Sequence, residues 1–314
     1  MLKNIIFSID VLKDSFKMLS QHPLLLFPIL LVWVYIAAVT IYFDFYFDPE
    51  LYTTNQILLI VFGVIFGMCL MFAIAASFLF EFIQHYEDGQ NLCFSSAAAD
   101  TFTQNFFRML PIIVIWACVL FIITVIQAFF SRKEKSSENS KKELNIKSAA
   151  ESIGGTDNPT SWIGLGFELL KKIVRMGVFM ILPAICWENK GPAAAFRRGM
   201  SITRQNAGKF ASGIMMTEVI GFLVFLPAGL VFYVSAELNI EFPDFVWFLV
   251  ILYMGIAFSY FIFIELFFCA ELYLWHLRWE AAKKDDELAQ NRESELSIDD
   301  VPQPHLISDL SSIR

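Results

Sequence analysis

Six stretches of this chain are too long and too apolar to be hidden together in one water-soluble core. They run from Leu24 to Phe43, Ile57 to Phe80, Leu110 to Phe130, Ile163 to Trp187, Ala211 to Val234 and Phe245 to His276. A helix rises about 1.5 Å per residue, so about 20 apolar residues cross a hydrocarbon layer of about 30 Å. The expected fold class is therefore all-α: a polytopic membrane helical bundle of six transmembrane helices with interfacial amphipathic helices. Composition agrees, since 57% of the 314 residues are hydrophobic and 34 are Phe. Only 17% are Asp, Glu, Lys or Arg, against roughly a quarter in soluble domains, and these crowd into the connections.

The fourth stretch is the weakest. Glu168, Lys171, Lys172 and Arg175 occupy its first half and leave a clean apolar run only from Met176 to Trp187. It is expected to enter as an amphipathic helix lying in the interface before it turns inward.

Basic residues set the expected orientation. With a cytoplasmic amino terminus, one side holds Lys3, Lys13, Lys17, Arg108, Lys190, Arg197, Arg198, Arg204, Lys209, Arg278, Lys283 and Lys284. The loops Asp44 to Gln56 and Ser235 to Asp244 carry no basic residue, so the positive-inside rule favours both termini in the cytoplasm. The loop 131–161 disagrees, with Arg132, Lys133, Lys135, Lys141, Lys142 and Lys147 on the outer side. No cleavable signal is visible in the first twenty residues, so the first membrane helix is expected to serve as its own insertion signal.

The chain divides on composition into a six-helix membrane domain, 1–280, and a disordered acidic cytoplasmic tail, 281–314. Loop 131–161 is rich in Ser, Lys, Glu and Asn and is expected to be mobile. Half of the net charge of −8 lies in the tail, and no nucleic-acid partner is expected. The five cysteines are odd in number and four lie in apolar segments, which reads as small reduced core residues rather than a disulfide framework.

A repeated design precedes three of the membrane segments. Ile5, Ile9, Leu12, Phe16 and Leu19 alternate spacings of four and three, which places them on one helical face. Phe196, Met200, Thr203, Ala207 and Phe210 repeat the spacing, and Phe94, Ala98, Phe102 and Phe106 approximate it. The membrane domain thus parses as three units, near 1–90, 91–187 and 188–280, each an interfacial helix followed by a membrane hairpin. Ser15-Phe16, Thr101-Phe102 and Gly199-Met200 stand as equivalent positions.

From Leu182 to Met200 the chain reads LPAICWENKGPAAAFRRGM. With His22-Pro23-Leu24-Leu25-Leu26-Phe27-Pro28 and Leu272-Tyr273, this resembles a large, mostly uncharacterised family of six-helix prokaryotic integral membrane proteins. That family is related to the membrane domain of some glycerophosphodiester phosphodiesterases. Its pattern has a helix proline, then Glu, Gly-Pro, an Ala-rich turn and an Arg-Ser pair. Gly199 stands where the family usually has Ser. The resemblance implies a fold and a prokaryotic cytoplasmic (inner) membrane, and no established activity.

Signatures of soluble enzymes are absent: no Gly-rich phosphate loop, no paired-His metal helix, no nucleophile elbow. The phosphodiesterase chemistry of the fused relatives belongs to a separate domain that nothing here resembles. No catalytic, cofactor-binding or metal-ligating residue is assigned, and no cofactor is expected. Charges within membrane helices are costly and default to functional hypotheses. The candidate ionisable cluster is Glu188, Arg197, Arg198, Glu218, Glu265 and Glu271, with Glu81, Arg108 and Arg278 nearby. It either lines a cytoplasm-facing cavity or holds the fold, with Glu188 pairing Arg197 or Arg198 to pin the Gly-Pro turn.

Small residues at intervals of four, Gly63 and Gly67, then Gly213, Thr217 and Gly221, read as stripes for close helix packing within the protein. Two function classes follow. The first is a non-enzymatic membrane component, organising the bilayer or a membrane complex, with lipid as partner and a protein partner at the interfacial helices or tail. The second is a transporter or channel for a small solute or ion that uses the region of Glu218 and Glu265.

Overall fold

The structure, a computed structural model, describes residues 2–48, 51–87, 94–135, 162–238, 240, 242–289, 298 and 301. Nearly all of them are helical, and no strand occurs among them. In chain order they form α1 (Leu2–Gln21), a short 3-10 turn (Pro23–Leu26), α2 (Phe27–Phe45) and α3 (Thr54–Glu87). Next come α4 (Phe94–Asp100), a π turn (Thr101–Asn105), α5 (Phe106–Lys135) and α6 (Trp162–Cys186). The last are α7 (Pro192–Gln205), α8 (Ala207–Glu237) and α9 (Asp244–Ala289).

Five helical stretches are long and apolar enough to cross a membrane: Phe27–Phe45, Asn55–Gln84, Ser96–Ala128, Ala207–Glu237 and Asp244–Lys284. They carry the first, second, third, fifth and sixth of the expected segments. The fourth, α6, is a continuous 25-residue helix with Pro183 inside it. Its charged first half keeps it outside the five.

Two boundaries differ from the sequence reading. Helix α9 runs on through residues 281–289, which composition assigns to the tail, and α5 continues to Lys135, inside the loop expected to be mobile. In both places a helix begun in apolar sequence propagates into polar sequence, because each added residue closes one more backbone hydrogen bond. Residues 136–161, most of that loop, lie outside the described residues, as does most of the tail.

Helix α9 is the pivot of the bundle. From Ile262 to Tyr273 every side chain is buried, as expected of a helix enclosed on all sides. Helices α1, α2, α6 and α8 pack around it, and α3 and α5 complete the core against α6. Small residues set the closest approaches. A Cβ at Gly213 would collide with the Phe268 ring, one at Gly67 with the Tyr35 phenol, and one at Gly221 would lie 2.7 Å from Phe261. Gly63 faces open space, so its membership of a packing stripe is corrected.

The three lead-in helices are α1, α4 with its π turn, and α7. The sequence places Phe16, Phe102 and Met200 on the apolar faces of interfacial helices. The bundle buries Phe7, Val11 and Met18 with Ser8 and Ser15 on α1, Ala97, Thr101 and Asn105 on the second, and Ala195, Gly199 and Ile202 on α7. Small and hydroxyl-bearing side chains allow closer helix contact than large apolar ones. Phe16, Phe102 and Met200 point outward.

Candidate functional site

Charges on α6, α8 and α9 meet in pairs. On α6, Arg175 donates from Nε and Nη2 to the two oxygens of Glu265 on α9, at 2.9 and 2.8 Å. Lys172, one turn earlier on α6, places Nζ 3.4 Å from Glu265 and 2.8 Å from Glu218 on α8. The four side chains make a quartet of two cations and two carboxylates. Glu265 is completely buried and Lys172 nearly so, while the Glu218 side chain is 55% exposed. Both cations also lie over the Phe261 ring, at 5.0 and 5.9 Å.

Beside Glu218 an open groove of about 490 Å³ runs along α8 and α9, lined by Gly221, Phe222, Phe225, Leu226, Gly229 and Phe261. Apart from Glu218 its lining is apolar, and Phe222 and Leu226 are exposed on the outer surface of the bundle.

A second cluster forms where α6 turns into α7. Trp187 N–H and Lys190 N–H close the end of α6 on the carbonyls of Pro183 and Ala184. Asn189 takes a left-handed φ of 53°, a conformation that Asn tolerates better than most residues. Gly191 then leaves the turn in extended conformation, and Pro192 starts α7 with its fixed φ. Glu188 in this turn accepts hydrogen bonds from Lys190 at 2.6 Å, from Arg198 Nε at 3.1 Å and from the Tyr273 hydroxyl.

Arg198 reaches onward to Glu280, donating from Nη1 at 2.6 Å and also from Nη2. His276 Nε2 lies 3.2 Å from the same carboxylate, and its Nδ1 lies 3.3 Å from the Asn206 amide. Burial by itself would raise the Glu188 pKa. The hydrogen bonds from Lys190, Tyr273 and Arg198 outweigh it and hold the carboxyl below its ordinary value. The Arg198 guanidinium is held more firmly protonated than usual, chiefly by Glu280, against burial.

The six candidate residues are thus not one cluster. Glu218 and Glu265 share the quartet, Glu188 and Arg198 share the turn, and Arg197 is exposed on α7. Glu271 is fully buried on α9, and neither of its oxygens has a hydrogen-bond partner among the described residues. Of the two residues offered as the partner of Glu188, Arg198 makes the contact.

Sequence reasoning missed several members. Lys172 and Arg175 count there only against α6 as a span, although cations in an apolar run next to Glu-bearing spans are a signal for intramembrane pairing. His276 and Glu280 are four apart on a helix and could have been read as a pair. A further buried network left no sequence signal. Asn105 donates to Glu81 at 2.5 Å and to Ser77 at 3.5 Å, Ser77 lies 3.4 Å from Thr101, and Cys186 donates to Ser77 at 3.5 Å. The π turn keeps Thr101 and Asn105 inward and Phe102, Thr103 and Gln104 outward.

The three equivalent dipeptides show one register. Ser15, Thr101 and Gly199 are buried, and the residues that follow them, Phe16, Phe102 and Met200, are 65%, 54% and 50% exposed. At Gly199 the approach is limiting, because a Cβ would lie 2.8 Å from the Ile181 Cα and 2.9 Å from the Met180 carbonyl of α6. A serine, which the resembling family places here, would not fit this packing.

Five helices long and apolar enough to cross a membrane, in an all-helical bundle that holds paired buried charges, give the class: a helical membrane protein. No family model, no curated protein and no solved structure matches this chain.

Proposed function

We propose that the protein is a non-enzymatic, multi-pass component of a prokaryotic cytoplasmic membrane, with both termini in the cytoplasm, that organises the bilayer through its three lead-in helices. The observation that carries this reading is the shared register of Ser15-Phe16, Thr101-Phe102 and Gly199-Met200. On each helix a buried small or hydroxyl-bearing residue is followed by a large apolar side chain that points outward. An amphipathic helix lying in the interface buries such a face about 5–10 Å into the boundary between headgroups and acyl chains. Three of them on one side expand that leaflet alone, and unequal leaflet areas bend the membrane or sort lipids.

Six spans belong to the same proposal. Helix α6 is about 37 Å long at 1.5 Å per residue, enough to cross. Its two deepest cations are neutralised by Glu218 and Glu265, which removes much of the cost of burying them. A solute path would need Glu218 and Glu265 to share a hydrated cavity. Glu265 is instead sealed against Arg175, and the groove beside Glu218 is otherwise apolar. The resemblance to the six-helix family rests on Leu182 to Met200 with His22 to Pro28 and Leu272-Tyr273, and supplies no activity.

The test is reconstitution into vesicles of phosphatidylethanolamine and phosphatidylglycerol, with vesicle curvature measured by electron cryomicroscopy. The full chain is expected to narrow the vesicles. The combined variant Phe16→Ser, Phe102→Ser and Met200→Ser is expected to insert and leave them as wide as protein-free controls. Equal curvature from both proteins would overturn the reading.

A further inference from the structure

One short piece of the tail returns to the bundle. Ile298 and Val301 are half-buried and pack against the main hydrophobic core. The Val301 amide donates to the Ile298 carbonyl at 3.4 Å, so the two flank a single turn. The Trp275 indole N–H donates to the Val301 carbonyl at 3.1 Å.

Three helices build the notch that receives this turn. Trp275 of α9 packs on Phe7 of α1 with ring centroids 4.9 Å apart, and Lys209 of α8 lies over the Trp275 ring at 4.6 Å. Each of the three is less than a tenth exposed. A buried indole N–H needs an acceptor, and here a tail carbonyl supplies it. The segment matches the notch in its apolar contacts and in hydrogen bonding.

The tether fits as well. From Trp275 to the end of α9 at Ala289 is about 21 Å of helix, and the nine residue steps from Ala289 to Ile298 span up to about 30 Å. The turn can therefore return to Trp275 without stretching. A tether this short gives an effective concentration in the millimolar range, so a small contact stays occupied yet can open.

We propose that this notch is a peptide-docking site whose occupant is the chain's own segment Ile298–Val301, and that the docked segment clamps α1 onto α8 and α9. Phe7 is the link, because α1 reaches Trp275 through it. The clamp stands apart from the bilayer reading. Docking is measured on α1 itself, whatever α1 does to lipid.

The experiment is amide hydrogen exchange on the full chain in nanodiscs holding one copy each, for the native protein and an Ile298→Ser, Val301→Ser variant. Exchange in α1 is expected to quicken at least about fivefold in the variant while α4 and α7 stay as in the native protein. A synthetic peptide of residues 294–304 added to the variant is expected to slow α1 again, and a scrambled peptide is not. Unchanged exchange in α1, or equal quickening in all three lead-in helices, would overturn the clamp. Native α1 exchanging as fast in single-copy nanodiscs as the variant does would also overturn it, since the occupant would then be another copy's tail.

Discussion

Arg175 grips both carboxylate oxygens of Glu265 from a neighbouring helix, at 2.8 and 2.9 Å, in a region where Glu265 has no exposed surface. Removing one member of such a pair strands the other. Glu265→Gln is expected to destabilise the protein by about 3 kcal/mol. Glu218→Gln should cost less than about 1 kcal/mol, because Glu218 is more than half exposed and Lys172 keeps Glu265 as a neighbour. Unfolding in mixed micelles, followed by circular dichroism, separates the two. Equal losses would mean that the quartet acts as one unit rather than around Glu265.

Glu271 presents the reverse case. Its carboxyl is buried with no hydrogen-bond partner among the described residues, so the fold carries its desolvation cost. Glu271→Met, close in volume and apolar, is expected to stabilise by about 1–3 kcal/mol in the same assay. A loss of stability would show that the carboxyl has a partner or a bound cation in the folded protein.

Gly199, Gly213 and Gly63 make a graded set. Gly199→Ser would press a Cβ on α6 backbone, and Gly213→Ala would strike the packed Phe268 ring. Each is expected to cost about 1–3 kcal/mol. Gly63→Ala meets nothing within 4 Å and is expected to be neutral or to stabilise by up to about 1 kcal/mol through helix propensity. Thermal midpoints of the three variants in one detergent test the order.

The Glu188 turn predicts a pH dependence. Its carboxyl is held below the ordinary value by Lys190, Tyr273 and Arg198, so the native state binds that proton less readily than the unfolded chain. The stabilisation is fully present above the unfolded carboxylate value of about 4.3 and is lost as pH falls through the lower native value. Glu188→Gln is expected to be less stable than the native protein at pH 7, with the gap closing below pH about 4. A gap that stays constant with pH would mean that Glu188 contributes through shape rather than charge.

Much of the fold is legible in the sequence because a bilayer imposes a length. Five apolar runs become helices long enough to cross, and the charged half of the fourth run explains why α6 stands apart. Ser15-Phe16, Thr101-Phe102 and Gly199-Met200, singled out in the sequence, each pair a buried residue with an exposed one. The face that each helix packs was not legible there. A period gives the angle between residues and leaves open which of two apolar faces meets protein.

The sequence by itself determined the helices and the five stretches long and apolar enough to cross a membrane, which depend on local periodicity and on transfer of side chains out of water. Only the tertiary structure decided which charges meet. Glu265 lies 90 residues from Arg175, Arg198 lies 82 from Glu280, and Trp275 finds its acceptor at Val301. Such pairings depend on how helices rotate and cross, and those angles are set by contacts such as Gly213 against Phe268 and Gly199 against Ile181. Close packing of small residues therefore fixed the electrostatics that composition could only enumerate.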